Sequence, residues 1–200
     1  MLEFLLNGLL NACEASLAYF LDEDDLKSLA MLRRPFVRIT FKDALSVLYR
    51  ETRNPKYRSG NESITNFDAR EEILLCQILA DGQPIFVTHY PVRGVEFYHA
   101  TSPEDPSLAL NADCLFPGFG EVISSGQRVL TRSDYERKSK MFNLNRDDYE
   151  WYEEIRDAGL NSIIHSGFGM GLERFLTAVL RLPSIEYSIA FPRVSQRIRP

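Results

Sequence analysis

Residues 111–128 read NADCLFPGFGEVISSGQR, and this stretch sets the fold class. Two short arms rich in apolar and β-branched residues flank Pro117-Gly118-Phe119-Gly120, a turn signal. A link this short joins antiparallel strands, because a parallel return needs a crossover of a dozen or more residues. The same texture lies on either side. PIFVTHY (84–90), VEFYHAT (95–101), SLALNADCLF (107–116) and FGEVISSGQRVL (119–130) are separated by PVRG, SPEDP and PGFG. They predict successive antiparallel hairpins, without parallel strands and helical crossovers.

Helical patterns surround this block. Thr40-Phe-Lys-Asp43 has the spacing of a capping box and predicts a helix over 42–50. Thr65-Asn-Phe-Asp68 repeats the pattern and opens a helix through Leu79, closed by Asp81-Gly82. Further helices are predicted over 132–142 and 146–158, ending at Gly159. A strand over 162–168 then runs into a helix over 170–181, before Pro183. Between the first two helices, YRETRNPKYRSGN (49–61) is a polar loop made locally basic by Arg50, Arg53, Lys56 and Arg58. A solvated surface explains it more simply than a phosphate contact. The expected class is α+β: one domain over 1–200, an antiparallel sheet flanked by helices.

The 200 residues carry 23 Lys+Arg against 28 Asp+Glu, a net charge of −5, with 44% hydrophobic and 26% charged residues. That is ordinary globular composition and excludes a disordered tail or a strongly basic nucleic-acid module. Cys13, Cys76 and Cys114 lie far apart, with no paired spacing for a disulfide framework or zinc knuckle, which fits a reducing cytoplasm. The apolar opening MLEFLLNGLLNACEASLAYFL has no basic lead and is interrupted by Glu3 and Glu14. Its leucines recur at helical spacing, so an amphipathic helix packed on a domain is expected, not an export signal or a membrane span.

Three groups of residues can carry chemistry. In HSGFGMGLER (165–174), Gly167, Gly169 and Gly171 alternate with bulky residues at the end of a strand, and a helix follows at once. Such a segment lets a flat ligand or a phosphate approach the backbone at a helix N-terminus. Arg174, one turn into the helix, favours an anion. Leu172 stands where a dinucleotide fingerprint needs glycine, and no P-loop lysine follows. Secondly, Asp113 and Glu121 flank the 117–120 turn. If they share a face they suit a hard cation that also binds phosphates, or acid–base hydrolysis of a glycoside; two unrelated surface acids is the plainer reading. Thirdly, strict alternation puts Glu121, Ile123, Ser125 and Gln127 on one face and turns Arg128 away, unless a bulge, most naturally at Gly126, brings it back. His89, His99 and His165 show no metal spacing, and no nucleophile elbow occurs.

Taken in order, PFVRITFKDAL, PIFVTHYP, VEFYHAT, NADCLFPGFGEVISSGQR, DYEWYEEIRDAG, HSGFGMGLERF and IAFPR resemble the catalytic domain of class II aminoacyl-tRNA synthetases of the aspartate/asparagine/lysine subgroup, from about Arg34 onward. GFGMGLER is similar to their third signature motif, and PGFGE with HSGFG resembles the asparaginyl branch. The resemblance implies ATP-dependent activation of Asn or Asp and transfer to tRNA, with ATP and Mg²⁺. It implies Mg²⁺ on Asp113 and Glu121. It implies the ATP on Gly167, Gly169, Gly171 and Arg174, with Arg174 and Glu121 serving catalysis. It implies the amino acid against Arg128, Tyr98 and Gln127, and a homodimer for the full-length form. The family's first motif and the Phe-Arg-x-Glu of its second do not occur in these residues. Val95 stands where relatives carry Lys or Arg, and Ile164 where they carry Pro. A fragment of a synthetase, a tRNA-independent paralogue of the asparagine-synthetase kind, and an inactive remnant acting as a binding module are therefore the competing expectations.

Overall fold

The structure is a computed structural model and describes residues 2–32, 36–58, 61–157 and 163–194. The opening apolar run forms two helices, α1 (Leu2–Ala12) and α2 (Glu14–Phe20), where one was expected; the chain bends at Cys13, whose ψ of 19° leaves the helical region. Helix α3 (Glu23–Met31) follows, capped by the Asp22 carboxylate, which accepts from the Asp25 N–H at 2.8 Å.

A strand that the turn chemistry does not announce comes next. Strand β1 (Val37–Thr40) runs straight into α4 (Phe41–Thr52), with Thr40 capping through the Asp43 N–H as expected. Helix α5 (Ala69–Ala80) begins later than the Thr65 pattern suggests. Its cap is Asp68, in a complete capping box with Glu71. Strand β2 (Ile85–Thr88) then lies parallel to β1, Val37 opposite Ile85, so α4 and α5 form a crossover. This one parallel pair departs from the all-antiparallel expectation.

Strands β3 (Asn111–Phe116), β4 (Gly120–Gln127) and β5 (Ser166–Met170) complete a five-stranded sheet in sequence order, and β2 to β5 are antiparallel. The 95–101 segment is no strand. It makes only isolated bridges, His99 with Arg128 and Thr101 with Ala109, because Phe97 turns into an aromatic cluster with Tyr135, Tyr149 and Tyr152. Those rings come from α6 (Arg132–Met141) and a 3-10 turn (Arg146–Tyr149) that leads into α7 (Glu150–Asp157). The predicted stop at Gly159 and strand start at 162 lie outside the described residues. Helix α8 (Leu172–Val179) follows β5 directly.

The sheet separates two cores. Leu115, Val87 and Ile85 face α4 and α5, packing with Phe41, Leu48 and Leu75. Cys114, Phe116, Val122 and Ile123 face the other side and pack with α1, α3 and α8 through Leu6, Leu29, Phe175 and Val179. Among the described residues no helix is long and apolar enough to cross a membrane.

Candidate active site

The register of β3 and β4 slips between Cys114 and Leu115. Asp113 lies opposite Ser124, whereas Leu115 lies opposite Glu121. Val122 is the extra residue, and Val122 and Ile123, adjacent in sequence, are both buried in the same core. The bulge thus sits six residues before Arg128, not at Gly126. Its effect on alternation is the one that Arg128 needed. Glu121, Ser124, Gly126 and Arg128 now fall on the face that carries Asp113. Gln127 falls on the opposite face, so the expected partnership of Gln127 with Arg128 does not form.

Strand β5 extends this face with glycines. Gly167 lies opposite Gly126 and Gly169 opposite Ser124. A Cβ on Gly167 would come within 2.5 Å of the Arg128 Nη2, and one on Gly126 within 2.1 Å of the His99 Nδ1. Both glycines are therefore gaps that polar side chains occupy. Above Gly169, by contrast, a Cβ would meet nothing within 4 Å. That position is an open floor. At its end the Arg174 stem folds back over Gly171, 3.1 Å from a Cβ placed there, and its Nη1 donates to the Glu121 carbonyl at 2.8 Å.

Arg128 is held over this face by the Tyr98 ring, with its Cζ 4.6 Å from the centroid, and its backbone N–H donates to the His165 carbonyl at 2.9 Å. Its Nη1 is buried and has no partner. Asp113 Oδ1, the Tyr90 hydroxyl and His99 Nδ1 share that condition. A buried donor or acceptor left unpaired costs about 1–3 kcal/mol. Four around one sheet face mark a place shaped for a polar ligand.

The charges agree. Burial, followed by the charges of Glu121, Glu96 and Glu72, pushes the Asp113 carboxyl up to about 7 against the pull of the Ser124 hydroxyl. Burial likewise raises Glu72 to about 7, although it accepts from the Glu121 N–H at 2.9 Å. Glu96 is held below the usual range chiefly by its hydrogen bond to His99, at 3.2 Å. The result is an acidic end at Asp113, Glu121 and Glu72, and a basic end at Arg128. Among the described residues no three His, Cys, Asp or Glu gather into a metal cage. Asp113 with Glu121 is nevertheless a donor pair of the kind Mg²⁺ uses, one or two carboxylates completed by phosphate oxygens and water.

Glu72, Glu96, His99 and Tyr90 were not anticipated. For Glu72 a signal existed: Glu72, Leu75, Cys76 and Leu79 follow helical spacing, so an acid sits on an apolar stripe. For His99 and Glu96 no local signal exists, since an irregular loop places them.

The family model described as tRNA synthetases class II (D, K and N) matches residues 1–195. Among curated proteins, an asparagine–tRNA ligase of Thermus thermophilus is 36% identical over 166 residues, 82% of this chain and 37% of that protein. One of Pyrococcus abyssi is 36% identical over 178 residues, 88% of this chain and 39% of that protein. The solved asparaginyl-tRNA synthetase of Pyrococcus horikoshii matches with a TM-score of 0.84 at 30% identity, covering 100% of this chain and 45% of that one. Its complex with asparaginyl-adenylate gives 0.81 at 30% identity, covering 99% and 43%. The chain spans less than half the length of these relatives.

Proposed function

The chain belongs to the class II tRNA synthetases (D, K and N), and from that membership we propose that its polar sheet face activates asparagine with ATP for transfer to tRNA. One observation carries this: the half-buried Arg128, whose buried Nη1 has no partner, stands on the same face as the Asp113–Glu121 pair and the open floor at Gly169. A planar arginine fork stacked on Tyr98 donates well to a side-chain carbonyl.

In this reading the nucleotide lies over Gly169, with Gly167 and Gly171 keeping the backbone approachable and Arg174 meeting its phosphates. Asp113 and Glu121 would hold Mg²⁺, which when bound neutralises phosphate charge. The Asn side chain meets Arg128, beside Tyr98. A carboxylate oxygen of the amino acid then attacks the α-phosphorus in line, the bond to the bridging oxygen breaks, and pyrophosphate leaves. No covalent protein nucleophile is required, so positioning and charge supply the rate. The carbonyl carbon passes next to a tRNA hydroxyl, releasing AMP. The three free cysteines suit a reducing cytoplasm.

The test is calorimetric binding of Asn and of Asp to this chain with ATP and Mg²⁺, beside amino-acid-dependent ATP–pyrophosphate exchange. Asn binding that Arg128→Ala abolishes is the expected result. A preference for Asp would overturn the asparagine assignment, and binding of neither would overturn the function.

A further inference from the structure

The backbone of Glu121 is gripped at both its N–H and its carbonyl. The Glu72 Oε2 accepts its N–H at 2.9 Å, and the Arg174 Nη1 donates to its carbonyl at 2.8 Å. Glu72 belongs to α5 and lies 49 residues from Glu121 in sequence. Its carboxylate fills the space beside Gly120, where a Cβ would come within 2.4 Å of Oε2, and Gly120 itself has a φ of +98°. The glycine is thus required twice, by its backbone angle and by the acid packed against it. The acid is mostly buried, at 9% exposure, and sits on the apolar stripe of α5 with Leu75 and Cys76 beyond it. An acid is a costly choice there unless it does something that an apolar residue cannot.

We propose that Glu72 is the positioning residue for Glu121. By accepting the Glu121 amide it fixes the strand just before the Val122 bulge, and so fixes where the Glu121 carboxylate points. The inference rests on the proposed nucleotide–Mg²⁺ role of Glu121 for its purpose, but the clamp itself stands on geometry alone. Glu72 does not touch the substrate; it acts through the backbone it holds. Arg174 completes the clamp from α8, so two helices on opposite faces of the sheet meet on one residue, holding the peptide units on either side of its Cα.

Two variants separate hydrogen bonding from charge and from packing. Glu72→Gln keeps an acceptor oxygen and removes the charge. Glu72→Leu keeps bulk and removes the acceptor. The first readout is amide hydrogen exchange at Glu121 in the 200-residue chain. The second is Mn²⁺ binding with ATP, followed by electron paramagnetic resonance. Glu72→Leu should speed Glu121 exchange about tenfold to a hundredfold, as expected for loss of one hydrogen bond to a carboxylate, and weaken Mn²⁺ binding about tenfold. Glu72→Gln should restore both to within about threefold. Gly120→Ala, which drives a methyl into Glu72 from the other side, should reproduce the Leu phenotype. An unchanged Glu121 exchange rate in Glu72→Leu overturns the proposal. So does faster exchange with unaltered Mn²⁺ affinity, or equal loss of Mn²⁺ binding in Gln and Leu, which would make charge the cause. If the unaltered chain bound no Mn²⁺, the functional reading of Glu121 would fail and the clamp would fall as a positioning device, while protected exchange would still show the hydrogen bond.

Discussion

Arg128 and Asp113 make opposite demands on the same sheet face. Arg128 is a fork with a buried nitrogen lacking a partner, stacked on Tyr98 and seated in the gap left by Gly167. Lysine supplies the charge but neither the stacking plane nor the paired donors. Arg128→Lys should therefore bind Asn at least about tenfold more weakly, close to Arg128→Ala, with little change in the melting temperature. Titration calorimetry decides it, and a lysine variant with native affinity would remove the fork from the argument. Asp113 instead carries a cost in the ligand-free protein. Its carboxyl is raised to about 7 from an ordinary 3.8, so between those values the folded chain holds a proton that the unfolded chain has released. Stability then falls as pH climbs through that window, and the penalty is fully present above it. Asp113→Asn should raise the melting temperature at pH 8 and leave it nearly unchanged at pH 4. Equal effects at both values would mean that burial of the carboxylate is not what costs the fold. A stabilising substitution at a proposed metal ligand is the expected trade between function and stability.

At the scale of the element, α5 sets where Glu72 stands, and the start of α5 is set by Asp68. The Asp68 carboxylate accepts from the Arg70 and Glu71 N–H groups, and Glu71 returns to the Asp68 N–H at 2.8 Å. Asp68→Ala should cost about 1 kcal/mol by denaturant titration, and it should also speed exchange at the Glu121 amide, because fraying of the first turn loosens Glu72 one turn on. A loss of stability with Glu121 still fully protected would uncouple the cap from the site. Elements of this kind were legible in the sequence because their signals are local. The Thr40 cap, the Pro117–Gly120 turn and the glycine strand running into α8 each depend on a few neighbouring residues. Strand β1 was not legible. Its four residues are mostly exposed or half-buried, and their partner β2 begins at Ile85, so the pairing has no local signature. The 95–101 segment misled for the converse reason. Its alternating bulky residues read as a strand, yet Phe97 is used by the aromatic cluster around Tyr135 and Tyr152. The bulge was half legible. Val122-Ile123 breaks a period of two with two consecutive apolar residues, and a break there, not the glycine at 126, moves Arg128 to the face of Asp113.

Among the described residues the sheet carries a core on each face, with the aromatic cluster around Phe97 beside it, and the polar patch on the α4–α5 face continues onto an outer strand. Strand β5 closes the order β1-β2-β3-β4-β5, so one row of its backbone groups has no partner within the described sheet. Along and beyond that strand Ile164 is 69% exposed, Phe168 57% and Leu172 58%. An exposed strand edge lined with apolar side chains is a template for another strand or another surface. The net charge of −5 over 200 residues opposes association only weakly at physiological salt, where charges more than about 8 Å apart are screened. The 200-residue chain should accordingly self-associate as its concentration rises, through this edge and not through the basic Arg50–Arg58 segment, whose first residues belong to the end of α4 and not to the expected loop. Sedimentation velocity over a concentration series should show a rising weight-average coefficient. Ile164→Lys with Phe168→Lys should return it to the monomer value without lowering the melting temperature, since neither side chain is buried. Added salt should strengthen association if apolar burial drives it and weaken it if charge pairing does. A coefficient that stays monomeric throughout, or one that the double substitution leaves unchanged, would place the sticky surface elsewhere or show that the edge of β5 is protected by its own twist.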